Sequence, residues 1–146
     1  MLTNLATIKS LATLKGAGAL FGLTWLVHTA DHVRRGTSLT SDGVIWAGTV
    51  GAMLSAVALT LIFTDHPLAP SVSVAVFGSL AFGVSVTHLA PGWGYFSEPL
   101  LFESDADRWA AVAATPEILA AAWLVWVAFR IVRADNFQLP AAQSAT

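Results

Sequence analysis

Cysteine is absent from this sequence of 146 residues, and charged residues are scarce. Without thiolates, the chain cannot form disulfide bonds, iron–sulfur clusters or cysteine-ligated zinc sites, and it has no cysteine nucleophile. Charged residues make up 11% of the chain and hydrophobic residues 55%, whereas a soluble domain carries about 25% charged residues. The composition therefore indicates that lipid, rather than water, is the main solvent of the chain.

Basic residues are too few and too scattered for a nucleic-acid-binding protein. Seven lysines and arginines face nine aspartates and glutamates, which leaves a net charge of −2. No run of basic residues interleaved with aromatic residues is present, so we expect no nucleic-acid partner. The sequence also lacks a nucleophile elbow and a glycine-rich phosphate loop. It therefore leaves open whether the chain is an enzyme.

Four apolar stretches dominate the chain, at residues 11–33, 43–64, 71–89 and 116–133. Each is close to the roughly 20 residues that a helix needs to cross the hydrocarbon core of a bilayer. Because the stretches are continuous and do not alternate with polar residues, they predict helices and not the strands of a barrel. We predict an all-α, polytopic membrane protein with one domain over residues 1–146, a four-helix bundle that ends in a short polar tail at 134–146.

The fourth stretch carries two signals for the start of a helix. Ser104 and Asp107 form a capping pair, and Thr115, Pro116 and Glu117 form a second start. This pattern predicts a short interfacial helix, a bend at the proline and then the fourth span. A single long, kinked helix is the alternative.

The orientation of the chain in the membrane depends on the lysines and arginines that flank the spans. The side with both termini carries four of them, namely Lys9, Lys15, Arg130 and Arg133. The other side carries three, namely Arg34, Arg35 and Arg108. We therefore predict an integral, multi-pass membrane protein with both termini in the cytoplasm. The first apolar run lacks a small-residue cleavage site, which indicates a retained helix and not a cleaved signal peptide.

Titratable residues gather near one membrane face. His28, Asp31 and His32 have the i, i+3, i+4 spacing that places them on one face of the first helix. His88 ends the third helix on the same side, and Glu117 begins the fourth span there. Because such groups cost several kcal/mol inside a membrane unless they are paired, they are candidates for function.

A transition-metal site is the first hypothesis for this group. Two histidines at i and i+4 can bind one ion, and a third histidine and a carboxylate would complete four ligands for zinc, copper or iron. The candidate metal ligands are His28, Asp31, His32, His88 and Glu117. Asp31 could alternatively accept a hydrogen bond from an imidazole and orient it.

Two other interpretations use the same residues. Haem b could bind with His88 and either His28 or His32 as axial ligands across the bundle. Alternatively, the histidines hold the helices in register through hydrogen bonds to carboxylates or carbonyls and bind nothing.

The function predicted from these features is that of a small integral membrane protein whose site binds a transition metal or haem for redox or catalytic work. The alternative is an accessory or assembly subunit of a larger membrane complex, with structural histidines. The expected partners are the lipid bilayer and either other membrane subunits or further copies of the chain, which could pack at small residues such as Gly18 and Gly22. A carrier or channel ranks last, because the middle of every span is almost entirely apolar.

Overall fold

The computed structural model describes residues 5–36, 40–101 and 108–143, with the side chains of residues 9–36, 40–101 and 109–134. The described chain contains four helices: α1 (Leu5–Arg35), α2 (Asp42–Phe63), α3 (Ala69–Leu89) and α4 (Arg108–Gln143). Each contains a segment long and apolar enough to cross a membrane. The predicted all-α bundle of four membrane-length helices is confirmed.

Local chemistry explains where α1 ends and where α2 and α3 begin. Gly36 adopts a positive φ of 79° and its N–H donates to the carbonyl of His32 at 3.0 Å, which is the usual glycine termination of a helix. The hydroxyl of Ser41 caps α2 by accepting from the N–H of Val44 at 3.3 Å. Pro70 lies in the first turn of α3, where a missing N–H costs nothing. These boundaries lie within a few residues of the predicted ones, except that α1 begins earlier, at Leu5.

The fourth helix differs from the prediction of a short interfacial helix followed by a separate span. α4 is one helix from Arg108 to Gln143, with Pro116 inside it, which matches the alternative of a single long helix. Pro116 has no N–H, so the carbonyl of Val112, four residues earlier, lacks its usual helical donor. Such a proline is tolerated in a membrane helix. Residues 102–107, with the predicted capping pair, lie outside the described residues.

The C-terminal end of α4 also differs. The fourth span was expected to end at residue 133 and to be followed by a polar tail. The helix instead continues ten residues further, to Gln143. The sequence beyond Ala134 contains the polar residues Asp135, Asn136 and Gln138, so the helix continues into a polar segment.

α4 is the helix most deeply packed within the bundle, and its largest contacts are with α3 and α1. Its buried face consists mainly of small residues at helical spacing: Ala110, Ala113, Ala114, Ala120, Ala121 and Ala128, with Leu124 and Val127. Alanines allow the backbones of neighbouring helices to approach closely, which stabilises helix packing in lipid. Glu117 lies on this same buried face, so its carboxylate points into the bundle.

The four helices alternate in direction, so α1 and α3 finish where α2 and α4 begin. We call this the site end, and the end with Lys15 and Asp65 the opposite end. After α3, the chain folds back over the site end in a return loop (residues 90–101). The N–H groups of Glu98 and Leu100 donate to the carbonyls of Thr87 and His88, both at 2.9 Å. This loop brings Glu98 next to the last turn of α3.

Candidate metal centre

Three imidazole rings meet at the site end. His28 and His32 come from the last two turns of α1, and His88 comes from the last turn of α3. The ring centroids are 4.8 Å apart for His28 and His32, 5.0 Å for His28 and His88, and 5.7 Å for His32 and His88. One nitrogen from each ring lies within 4.8 Å of the others. The structure thus places together the three histidines selected from the sequence.

Glu117 contacts this group through His28. Both side chains are buried, and Nδ1 of His28 donates to Oε2 of Glu117. This contact ties α1 to α4 and orients the ring so that Nε2 of His28 points towards His32. The two Nε2 atoms are 3.1 Å apart. Glu117, which was predicted as a ligand, therefore lies where it orients a histidine.

A directional hydrogen-bond chain runs through the site. Nη2 of Arg35 lies 3.3 Å from Nδ1 of His32, which can only accept from a guanidinium. His32 then carries its proton on Nε2 and donates to Nε2 of His28, which in turn donates through Nδ1 to Glu117. All three contacts are consistent with neutral imidazoles in this arrangement. This series of hydrogen bonds connects the surface side of the site to a buried carboxylate.

Glu98 of the return loop contacts the same rings. Nδ1 of His88 lies 3.3 Å from the backbone carbonyl of Glu98, to which it donates, and 3.7 Å from the side-chain Oε2. The same Oε2 is 4.0 Å from Nδ1 of His32. It is inaccessible to solvent, and no hydrogen-bond partner for it exists among the described residues. A buried carboxylate oxygen without a partner is costly.

Asp31 is directed away from the histidines. Its Oδ1 accepts from Nε and Nη2 of Arg34, at 3.0 and 2.8 Å, and its Oδ2 accepts from Nε of Arg35 at 2.8 Å. Arg35 also donates through Nη1 to Oε1 of Glu98. The structure therefore places Asp31, a predicted ligand, in a salt-bridge network beside the three imidazoles and not among them.

Two residues of this site were not selected from the sequence, namely Arg35 and Glu98. Arg35 follows Asp31 by four positions, which is the helical spacing of an ion pair, so its contact with Asp31 was accessible to sequence reasoning. Glu98 lies ten residues after His88, in a loop that starts at the same end of the bundle. That position makes it plausible that Glu98 lies near His88, but the sequence does not show that the loop folds back onto the end of α3.

These features define a class of protein: an all-helical bundle of four membrane-length helices, with a buried group of imidazoles at one end. No protein-family model, curated protein or solved structure matches the chain. The function therefore has to be argued from the geometry of the site.

Proposed function

We propose that this chain is a multi-pass membrane protein that binds one transition-metal ion between His28, His32 and His88. The observation that carries the proposal is the convergence of three imidazoles from two helices, with ligand nitrogens within 4.8 Å of one another. Two buried rings and one partly exposed ring, from α1 and α3, supply three nitrogen ligands of the kind that zinc, copper and iron bind. The ion would lie near one face of the membrane and serve redox or catalytic work.

The lipid bilayer is the proposed solvent of the helices. Large apolar side chains point outwards along the bundle, for example Leu23, Met53, Phe82 and Leu119, all of which are more than half exposed. A soluble protein rarely exposes such extensive apolar surface. In a bilayer these side chains contact lipid, while the short polar loops remain at the two surfaces.

The distance between the Nε2 atoms of His28 and His32 suits a transition-metal ion bound to both. With metal–nitrogen bonds of about 2.0–2.1 Å, two ligands of a tetrahedral ion lie about 3.3 Å apart. The two Nε2 atoms of His28 and His32 are separated by 3.1 Å. Little movement would therefore be needed to bind an ion through both atoms.

Glu98 supplies what His32 needs in order to bind through Nε2. The imidazole proton must then move to Nδ1, which requires an acceptor on that side of the ring. Without an ion, this nitrogen accepts from Arg35 at 3.3 Å. Oε2 of Glu98 lies 4.0 Å from the same nitrogen and is a buried carboxylate oxygen without a hydrogen-bond partner among the described residues. Binding of the ion through Nε2 would therefore exchange the Arg35 contact at Nδ1 for a contact with Glu98.

The donor set narrows the choice of metal. Imidazole ligands suit zinc, copper and iron, and the absence of thiolates disfavours ions that need soft ligands. Haem b is less well supported, because its macrocycle would have to lie between two axial imidazoles. The rings of His28 and His88 are in edge contact, with centroids 5.0 Å apart, which leaves no space for it.

Elemental analysis and an absorption spectrum of the detergent-purified protein test the proposal. We expect about one equivalent of metal per chain, lost in His28→Ala and in His88→Ala. His66→Ala is the matched control, because His66 is an exposed histidine at the opposite end, and this variant is expected to retain the ion. Metal content that is unchanged in both site variants would refute the proposal, and a Soret band would favour haem.

One observation favours a second function, that of an accessory subunit with structural histidines. The hydrogen-bond chain from Arg35 through His32 and His28 to Glu117 is complete without an ion. In that case the purified protein is free of metal, and chelation leaves its unfolding temperature unchanged, whereas full stability in isolation would count against an accessory subunit. Co-purification of other membrane subunits, or a defined homo-oligomer, would then identify its partner.

A further inference from the structure

The carboxylates around the three imidazoles contact other groups or face the Nδ1 side of the rings. Both oxygens of Asp31 accept from arginines. Glu117 binds Nδ1 of His28, on the side of the ring away from the proposed ion. Glu98 contacts Arg35 through Oε1, and its Oε2 faces Nδ1 of His88 and of His32. Within the described residues, the metal group contains three ligands and no carboxylate.

We infer that the ion held by His28, His32 and His88 keeps one coordination position open, and that this position takes water or a small monovalent anion. The inference rests on the proposed function. Structural sites surround an ion with four protein ligands, whereas catalytic sites commonly use three and leave the fourth position to an exchangeable group. Nδ1 of His28 donates to Glu117 and Nδ1 of His88 donates to the backbone carbonyl of Glu98, which is the orientation of imidazoles that bind an ion through Nε2.

The buried charges around the site balance a divalent ion. Three carboxylates, of Asp31, Glu98 and Glu117, face one buried guanidinium, that of Arg35, which leaves two negative charges. Arg34 also contacts Asp31, but its side chain is 52% exposed and its charge is solvated. A divalent ion brings this balance to zero, so neutral water fills the open position at rest and a small monovalent anion competes with it.

The shape of the site limits the size of this ligand and its route of entry. His28 and His88 are buried, while the side chain of His32 is 29% exposed. His32 lies in the last turn of α1, next to the surface of the bundle. A water-soluble ligand can therefore approach along His32, and the close ring contacts admit only a few atoms.

Azide titration of the full chain loaded with Co²⁺ tests this inference. The visible bands of Co²⁺ depend on its ligands and coordination number, so binding in an open position changes the spectrum. We expect azide to shift the bands of the wild-type protein and to saturate at one azide per ion. The His66→Ala variant should behave identically. Spectra that azide leaves unchanged would overturn the inference while the bound Co²⁺ upholds the proposed function.

The Glu98→Gln variant separates the two possible roles of Glu98. If Glu98 only orients histidines, Glu98→Gln should lower the affinity for Co²⁺ 10- to 100-fold. At saturating Co²⁺, azide should then shift the spectrum of this variant as it shifts that of the wild type. An azide response seen only in this variant would show that Glu98 fills the fourth position, which contradicts the inference. Failure of the wild type to bind Co²⁺, as judged by elemental analysis, would refute the proposed function itself.

Discussion

The opposite end of the bundle pairs charged residues in a different way from the site end. There, Lys15 and Asp65 form an ion pair at 2.7 Å whose side chains are 35% and 52% exposed. At the site end, the Arg35 side chain is only 8% exposed and contacts Asp31, Glu98 and His32. Water can replace the first contact at little cost, because the charges remain solvated. Water cannot replace the buried contacts of Arg35 in this way. Ion pairs of similar residue types therefore contribute differently to stability at the two ends.

The difference has a structural origin. Lys15 of α1 contacts Asp65, in the turn between α2 and α3, at the surface. The site end combines residues from α1, α3, α4 and the return loop, which bury one another. Ionisable groups that are brought into a membrane interior from several helices are costly, and they persist where function or folding requires them.

Removal of Arg35 should produce the largest change. We expect Arg35→Met to lower the free energy of unfolding by about 3–5 kcal/mol, because the carboxylates of Asp31 and Glu98 lose a buried partner. Arg34→Met is the matched control, since the Arg34 side chain contacts the same Asp31 but is 52% exposed, and it should cost about 1 kcal/mol or less. Unfolding in mixed detergent micelles measures both. Equal losses would contradict the contrast between buried and exposed pairs.

Removal of the metal should produce the next largest change. An ion present at 100 times its dissociation constant stabilises the folded protein by about 2.7 kcal/mol. We therefore expect a chelator to lower the unfolding temperature, and Zn²⁺ or Co²⁺ to restore it. The same chelator should leave the unfolding temperature of His88→Ala unchanged. A chelator effect that persists in this variant would place the ion elsewhere.

Glu117→Gln should have a smaller effect on the same site. The amide can still accept from His28 but carries no charge, and the loss of such an orienting carboxylate lowers metal affinity 10- to 100-fold. Isothermal titration of the metal-free protein with Zn²⁺ measures this change. An affinity within twofold of the wild-type value would show that Glu117 does not contribute to metal binding.

Lys15→Met should have the smallest effect. Exposed ion pairs contribute about 0.2–1 kcal/mol, so the stability should fall by no more than this and metal affinity should not change. The variant is assayed beside Arg35→Met by unfolding and by Zn²⁺ titration. A loss of several kcal/mol would show that the opposite end is also buried in the functional protein.

The residues differ in how far the sequence predicted their roles. The i, i+4 spacing of His28 and His32 predicted a shared helix face, and both rings do meet in the structure. The carboxylates were harder to place. Asp31 was expected beside the histidines, but a residue three positions from His28 can also turn towards Arg34 and Arg35, and these bind it.

The sequence of α4 contains a pattern that indicates which way Glu117 points. Its alanines recur every three to four residues on one face, and Glu117 continues that spacing. This pattern predicts that the carboxylate points inwards, because small residues mark the packed face of a membrane helix. The two start signals around Pro116 instead suggested a break, although a proline is tolerated within a membrane helix.

Composition and hydrophobic length were sufficient to predict four membrane-length helices, because transfer of apolar surface to lipid depends on residue type and number and not on neighbours. The order of the spans was also sufficient to predict that the ends of α1 and α3 and the start of α4 share one end of the bundle. The partner of each carboxylate followed only from the folded structure. It depends on the rotation of α4 about its axis and on the path of the return loop, which are determined by packing between distant parts of the chain.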